Sequence, residues 1–185
     1  MKCKIILTAF AVTSLIFSSA PAFAELFSVS VGIPFSHTLT GKDVEGEEIK
    51  SDGVSSGFFI QIDMPFLPGI GIDSYKTKIK NSDPDLATTI FNLFYLLPIP
   101  VINLTFGIGF GSTKLQCEGC VNYYEKGSAT QWYTSFGMPL MPLFDLHLSY
   151  RSVCSKIEIK AGDDDAGKKN DLSGNVMGLG IRFSF

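Results

Sequence analysis

The chain lacks the long apolar runs of a helical membrane protein. A membrane-spanning helix needs about 20 consecutive apolar residues. Beyond the N-terminal segment, the longest such run covers residues 93–102 and is broken by Pro98 and Pro100. The sequence therefore predicts no transmembrane helix in the body of the chain.

Charged residues are also scarce, and they are unevenly placed. The chain has 15 Lys and Arg against 18 Asp and Glu, and most of them fall in residues 42–50, 76–85 and 157–171. The acidic balance argues against nucleic acid as a partner. The sequence contains no phosphate-binding loop, no dinucleotide-binding motif and no pair of catalytic carboxylates. We therefore expect no cofactor and no metal. A soluble domain would spread charge over its outer surface, whereas this pattern indicates charge confined to loops.

The N-terminal segment has the features of a secretory signal peptide. Lys2 and Lys4 precede a mostly apolar stretch at 5–17, and residues 22–24 form a small-x-small cleavage site. We predict a leader over residues 1–24 and a mature domain over 25–185. Loss of the two lysines, with no acidic residue removed, takes the net charge from −3 to −5.

Strict alternation of apolar with small or polar residues recurs along the mature chain. A period of two indicates strands with two unlike faces. Five segments alternate clearly: 27–36, 57–66, 102–111, 144–151 and 178–185. Three more alternate weakly: 70–80, 88–97 and 130–138. The sequence thus predicts eight strands.

The connections between these strands alternate in length. Short ones contain proline and cover 67–69, 98–100 and 139–142, whereas long polar ones cover 41–55, 81–87, 112–129 and 152–173. Transmembrane barrels of the outer membrane have short turns on one side and long loops on the other. The predicted fold is therefore all-β, an eight-stranded antiparallel up-and-down transmembrane β-barrel. The rival is a soluble lipocalin-like barrel, which would carry Lys and Glu on its outer face.

The terminal strand, Gly178-Leu179-Gly180-Ile181-Arg182-Phe183-Ser184-Phe185, resembles the closing strand of the small outer-membrane barrels, the OmpA-type transmembrane domain and its relatives. The segment 148–151 resembles their penultimate strand. The resemblance implies location in the bacterial outer membrane, with outer-membrane lipid and lipopolysaccharide as partners, and a monomer. It also implies that Phe183 and Phe185 form the signal read by the outer-membrane assembly machinery.

Six ionisable residues fall on the predicted inner face: Asp63, Asp73, Asp145, His147, Arg151 and Arg182. Eight strands leave an interior that side chains can fill, and charges there must pair. We expect Asp145 and Arg182, on neighbouring strands, to meet. The favoured interpretation is a structural plug, and the alternative is a narrow ion channel.

His147 and Ser149 share the same face of one strand and could form a nucleophile–base pair. Barrel-type lipid A deacylases carry a similar His-x-Ser on a strand. In that family Asn follows the Ser and a downstream Glu orients the His, whereas here Tyr150 follows and the next acid is Glu158. A lipid A-modifying enzyme is therefore an alternative, and the sequence favours a chain that is not an enzyme.

Three cysteines remain after the predicted cleavage. Cys117 and Cys120 lie in the third long connection, and Cys154 is placed at the start of the fourth. Secreted proteins are oxidised, so a disulfide is expected, either between Cys117 and Cys120 or from one of them to Cys154. The combined prediction is a non-catalytic outer-membrane barrel with a filled lumen, acting in envelope structure or in surface contact through its long loops.

Overall fold

The computed structural model describes residues 26–64, 67–80, 84–99, 102–141, 143–160 and 166–185. The predicted leader over 1–24 lies outside the described residues, as do residues 65–66, 100–101 and 142 in or beside the predicted short turns. None of the described helical residues forms a helix long and apolar enough to span a membrane.

Eight long strands form a closed antiparallel barrel. They are β1 (Ser28–Leu39), β2 (Ser51–Asp63), β3 (Gly69–Ile79), β4 (Asp85–Ile99), β5 (Ile102–Gln116), β6 (Gly127–Met141), β7 (Phe144–Glu158) and β9 (Gly174–Ser184). Each pairs with its neighbour along the chain, and β9 pairs with both β7 and β1, which closes the ring. The predicted fold class is confirmed.

Two small elements lie in the connections and were not predicted. A four-residue helix, α1 (Cys120–Tyr123), lies between β5 and β6. A short strand, β8 (Lys169–Asp171), pairs with the last residues of β7. Both elements lie at the end of the barrel that carries the long connections, which we call the loop end; the opposite end, with the short connections, is the turn end.

The two faces of the wall separate by polarity as the alternation predicts. Phe91 and Phe110, which face each other in register on β4 and β5, are 65% and 63% exposed on the outside. Side chains on the alternate positions of the same strands, such as Asn92 and Thr105, are buried in the lumen. An apolar surface that surrounds a barrel in this way fits hydrocarbon rather than water.

The strands run further towards the loop end than the sequence indicates. β5 continues to Gln116, β6 begins at Gly127 and β7 continues to Glu158, so the predicted connections at 112–129 and 152–173 are too long. The predicted connection at 81–87 is likewise shortened, because β4 begins at Asp85. Beyond the apolar belt the outward side chains can be polar, so the alternation fades although ladder hydrogen bonds continue.

A bulge in β1 changes which residues face inward. The register with β9 shifts between Pro34 and Ser36. Beyond the shift His37 and Leu39 are buried inside, whereas simple alternation would have turned Ser36 inward. An extra residue in one strand reverses the faces from that point on.

Candidate functional site

The centre of the lumen is occupied by an ion pair that crosses the barrel. Arg151 on β7 and Asp73 on β3 lie on opposite walls of the eight-strand ring. Arg151 Nε donates to Asp73 Oδ2 over 2.8 Å, and the two side chains are 1% and 0% exposed. The guanidinium also lies 3.5 Å from the centre of the Phe59 ring, a cation–π geometry. Both charged side chains lie in the lumen, as the alternation predicts.

Amide side chains extend the ion pair into a network. Gln131 Nε2 lies 2.6 Å from both Asp73 Oδ2 and Asn92 Oδ1. Gln61 Nε2 donates to the hydroxyl of Tyr133 over 3.0 Å, again across the barrel from β2 to β6. The predicted alternation, with Ile62 and Trp132 outward, places both glutamines on the inner face, and both are buried there.

A second charged group lies nearer the turn end. Asp63 accepts a hydrogen bond from Ser28 Oγ over 2.7 Å and lies 3.9 Å from Arg182 Nε. Arg182 also donates to Ser30 Oγ over 3.2 Å and to Thr105 Oγ1 over 3.4 Å. The hydroxyls of two strands, together with the Asp63 carboxylate, therefore surround this guanidinium.

The expected ion pair between Asp145 and Arg182 is not formed among the described residues. The two residues are in register on β7 and β9, as predicted, but Arg182 turns to Asp63 and Asp145 accepts from Asn103 Nδ2 instead. Register fixes only which Cα atoms are neighbours. The arginine side chain is long enough to reach several carboxylates, so its partner depends on how the interior side chains pack.

His147 and Ser149 both face the lumen but do not hydrogen-bond to each other. His147 Nδ1 lies 3.4 Å from Ser135 Oγ, and Ser149 Oγ donates to the carbonyl of Gly178 over 3.1 Å. The imidazole lies against Gly180, where an added Cβ would come within 2.5 Å of the ring. The serine proton is therefore engaged by the backbone and not by the histidine.

A second lumen histidine was not singled out from the sequence. His37 Nδ1 is hydrogen-bonded to Thr77 Oγ1 at 2.7 Å, and Thr77 Oγ1 contacts Ser55 Oγ at 3.2 Å. His37 also makes an edge contact with the Tyr75 ring, with centroids 5.6 Å apart. No sequence signal reveals His37 as a lumen residue, since its inward direction depends on the β1 bulge.

An apolar layer closes the lumen at the loop end. Its core is four buried side chains, and four partly buried residues pack against them: Leu39, Leu86, Ile157 and Leu172, with Ile49, Ile79, Leu115 and Tyr124. These residues come from several strands and from the first, third and fourth long connections. The lumen thus holds the ion-pair network beside one buried apolar cluster, which includes Phe59 and Val176, and a second apolar layer at the loop end.

One disulfide is local to the third long connection. Cys117 and Cys120 are bonded to each other within the β5–β6 connection, so the first of the two expected arrangements is confirmed. Cys154 lies inside β7 and not at the start of a loop, with its side chain on the outward face between inward Val153 and Ser155. No group of His, Cys, Asp and Glu in the described ranges is arranged to hold a metal ion.

Aromatic residues line the seam between β1 and β9 and the adjoining strand β7. Phe185 stacks on Phe27 with ring centroids 5.1 Å apart, and Phe183 makes an edge contact with Phe144 at 5.3 Å. The Leu26 amide donates to the Phe185 carbonyl over 2.6 Å. Both predicted signal residues therefore lie on the outer face at the turn end.

Comparison with known proteins gives structural matches alone. A scan against protein-family models and a search of curated proteins both found no match. Among solved structures, Neisserial surface protein A is 13% identical with a TM-score of 0.57, over 86% of this chain and 97% of that one. The outer membrane protein AlkL is 12% identical with a TM-score of 0.56, over 93% and 96%.

The Escherichia coli outer membrane protein W gives a similar match. It is 10% identical with a TM-score of 0.57, over 88% of this chain and 98% of that one. At such identities the likeness concerns the path of the backbone. The chain has the fold of the small eight-stranded outer-membrane β-barrels.

Proposed function

We propose that this chain is a non-catalytic, monomeric barrel of the bacterial outer membrane. Its role is in envelope structure or surface contact, through the barrel wall and the loops, rather than in transport or chemistry. The observation that carries the proposal is the filled lumen, in which side chains from opposite walls meet. The Arg151–Asp73 pair crosses the interior at its centre with almost no exposed surface.

The apolar layer at the loop end argues further against an ion path. An ion crossing the barrel would have to leave water and pass between Leu39, Leu86, Ile157 and Leu172. Moving a bare charge into such surroundings is very unfavourable. The charged side chains below this layer are satisfied by each other and by hydroxyls and amides, as expected for a structural interior.

The enzyme alternative receives little support from the geometry. A Ser–His pair must be within hydrogen-bond reach, and its serine must reach a lipid substrate. Ser149 instead donates to a backbone carbonyl and accepts from Arg151, and it is buried inside the barrel. His147 is engaged with Ser135. Lipid outside the wall has no access to either side chain.

Surface contact is supported by the third long connection. The Cys117–Cys120 disulfide ties its first turn, and Val121 and Tyr123 project from α1 with exposures of 75% and 60%. Exposed apolar groups on a tethered loop favour contact with another surface. For assembly, we propose that Phe183 and Phe185 are read by the outer-membrane machinery before the seam closes.

The proposal is tested first by conductance. The full chain, refolded into a planar bilayer, is expected to give no channel steps, and reproducible steps from the wild-type protein would contradict the filled lumen. Location is tested by membrane fractionation and by the heat-dependent shift in gel mobility that folded barrels show. A chain found in the soluble fraction would refute the outer-membrane assignment.

The enzyme alternative is tested by mass spectrometry of lipid A. Cells with the wild-type chain, cells with His147→Ala and cells without the chain are expected to share one acyl pattern. A pattern that changes with the wild-type chain and reverts with His147→Ala would overturn the non-catalytic assignment.

A further inference from the structure

We infer that the outer wall carries a binding site for the phosphate of an outer-leaflet lipid, at the loop end of β3, β4 and β5. The inference rests on the proposed function in one respect, that the barrel lies in an outer membrane. The candidate ligand is a phosphorylated lipid such as lipid A, recognised by Lys76 and Lys114.

Outward lysines in the long strands occur only towards one end of the barrel, among the residues that the structure describes. They are Lys76, Lys78, Lys114 and Lys156. The outward side chains at the turn end are apolar instead, among them Leu67, Leu140 and Leu143. An asymmetric distribution of this kind suits a bilayer with an anionic outer surface.

Strand register brings two of these lysines onto one row. Lys76 on β3 is in register with Ala87 on β4, and Ala87 is in register with Lys114 on β5. Two strand spacings separate the lysines by about 10 Å. The small side chain of Ala87 leaves the space between them open, so both four-carbon stems can bring their ammonium groups to one phosphate.

A row of hydroxyls lies beside the lysines, two residues nearer the membrane centre. Ser74, Thr89, Ser112 and Ser128 are in register on four consecutive strands and face outward. The next outward row contains Phe91 and Phe110 in the apolar belt. The hydroxyls therefore mark the upper edge of the belt and can donate hydrogen bonds to phosphate oxygens.

The surface is concave at this point. A depression of about 410 Å³ is bordered by Ser56, Ser74, Lys76, Ala87 and Lys114, among others. Within the described part of the chain, neither Lys76 nor Lys114 forms an ion pair.

Other lysines at the loop end do have acidic partners. Lys50 lies 3.5 Å from Glu48, and Lys169 lies 2.9 Å from Glu158. The nearest outward carboxylate on the β3–β4 ladder, Asp85, is in register with Lys78 rather than with Lys76. The charge of the Lys76–Lys114 pair is thus available to an anion.

A second depression, which shares β4 and β5 with the first, favours a lipid over a free phosphate. Leu93, Tyr95, Phe106, Ile108 and Trp132 border a hollow of about 370 Å³ on the outer wall of β4, β5 and β6. Leu93 lies six residues from Ala87 along β4, a rise of about 20 Å. A lipid whose phosphate lies over Ala87 can lay an acyl chain along the wall to this hollow.

The test measures lipid A bound to the folded full chain in zwitterionic micelles, by native mass spectrometry. The wild-type chain is expected to bind lipid A and to discriminate against lipid A whose phosphates have been removed. Because a lysine near an anionic surface contributes about 1 kcal/mol, Lys76→Gln with Lys114→Gln should weaken binding about thirtyfold. Lys76→Arg with Lys114→Arg should retain binding.

The matched control is Lys42→Gln with Lys156→Gln, which removes the same charge from exposed positions at the same end of the barrel. Lys42 lies in the first long connection and Lys156 lies on β7, across the ring from β3, so screening separates both charges from a phosphate at the Lys76–Ala87–Lys114 row. This pair is therefore expected to change the affinity for lipid A by less than about fivefold. An equal loss in both double variants, or no preference for phosphorylated lipid, would overturn the inference. Neither result would alter the conductance or the membrane fractionation of the wild-type chain. A failure of this inference can therefore be told apart from a failure of the proposed function.

Each variant is checked for the heat-dependent gel shift before binding is measured. The substituted lysines are all exposed, namely Lys42, Lys76, Lys114 and Lys156. The substitutions are therefore not expected to disturb folding. If the Lys76→Gln/Lys114→Gln double variant did not fold, Lys114→Gln alone should weaken binding about fivefold. A folded single variant with wild-type affinity would contradict the site.

Discussion

Replacing Asp73 with Asn is the sharpest test of the filled lumen. The change keeps the size of the side chain but leaves the Arg151 guanidinium without its carboxylate. Arg151 donates to Asp73 over 2.8 and 3.4 Å, and water does not reach either side chain. Breaking a buried pair by removing one partner costs about 3–5 kcal/mol.

The lower part of that range is expected here. The Phe59 ring stays 3.5 Å from the guanidinium in the variant and continues to stabilise its charge. Ser149 also remains a hydrogen-bond acceptor for Arg151. We therefore expect Asp73→Asn to lower the free energy of unfolding by about 3 kcal/mol, roughly a hundredfold in the folding equilibrium.

Reversible denaturant unfolding in lipid vesicles measures this loss. Trp132 is the single tryptophan and faces outward, so its fluorescence changes when the unfolding barrel wall leaves the lipid. The control is Glu158→Gln, which breaks the exposed pair with Lys169 and should cost less than about 1 kcal/mol. Equal costs for the two substitutions would refute the argument that the Asp73 charge is buried and structurally required.

Three further predictions concern the wall, the seam and the loop. Phe106→Arg, on the lipid face, should cost about 2–4 kcal/mol in the same unfolding assay, whereas Thr105→Ser, on the lumen face, should cost far less; similar small costs would mean that the faces are assigned wrongly. Deletion of Phe185 removes half of the proposed assembly signal, together with the Phe27 stacking and the backbone hydrogen bonds to Leu26 and Phe27, so pulse-labelled chains should insert more slowly into the outer membrane, and an unchanged insertion rate would count against the assembly signal. Replacing Cys117 and Cys120 with Ser should leave the unfolding midpoint unchanged, since the disulfide closes a loop of sequence separation 3 outside the barrel wall; a clear shift would show that the loop supports the barrel.

Local pattern determined the strand count, the antiparallel order and the assignment of the faces. Residues 102–111 and 178–185 alternate so regularly that one face had to meet an apolar environment and the other a crowded polar interior. The inward direction of Asp63, Asp73, Asp145, His147, Arg151 and Arg182 followed from the same alternation. A period of two needs no knowledge of distant residues, and this is why the sequence alone was sufficient.

Tertiary structure alone decided the partners inside the lumen. Arg151 and Asp73 are 78 positions apart in the chain and meet because β7 and β3 face each other across a closed ring. The expected Asp145–Arg182 ion pair was wrong, because register fixes only the positions of the backbones. A long side chain can reach any acceptor within the lumen, and its partner depends on the packing there. The inward direction of His37 depended on one bulge in β1, and the Lys76–Ala87–Lys114 row depended on the registers of three strands. Ring closure and register are global properties, so no local pattern contains them.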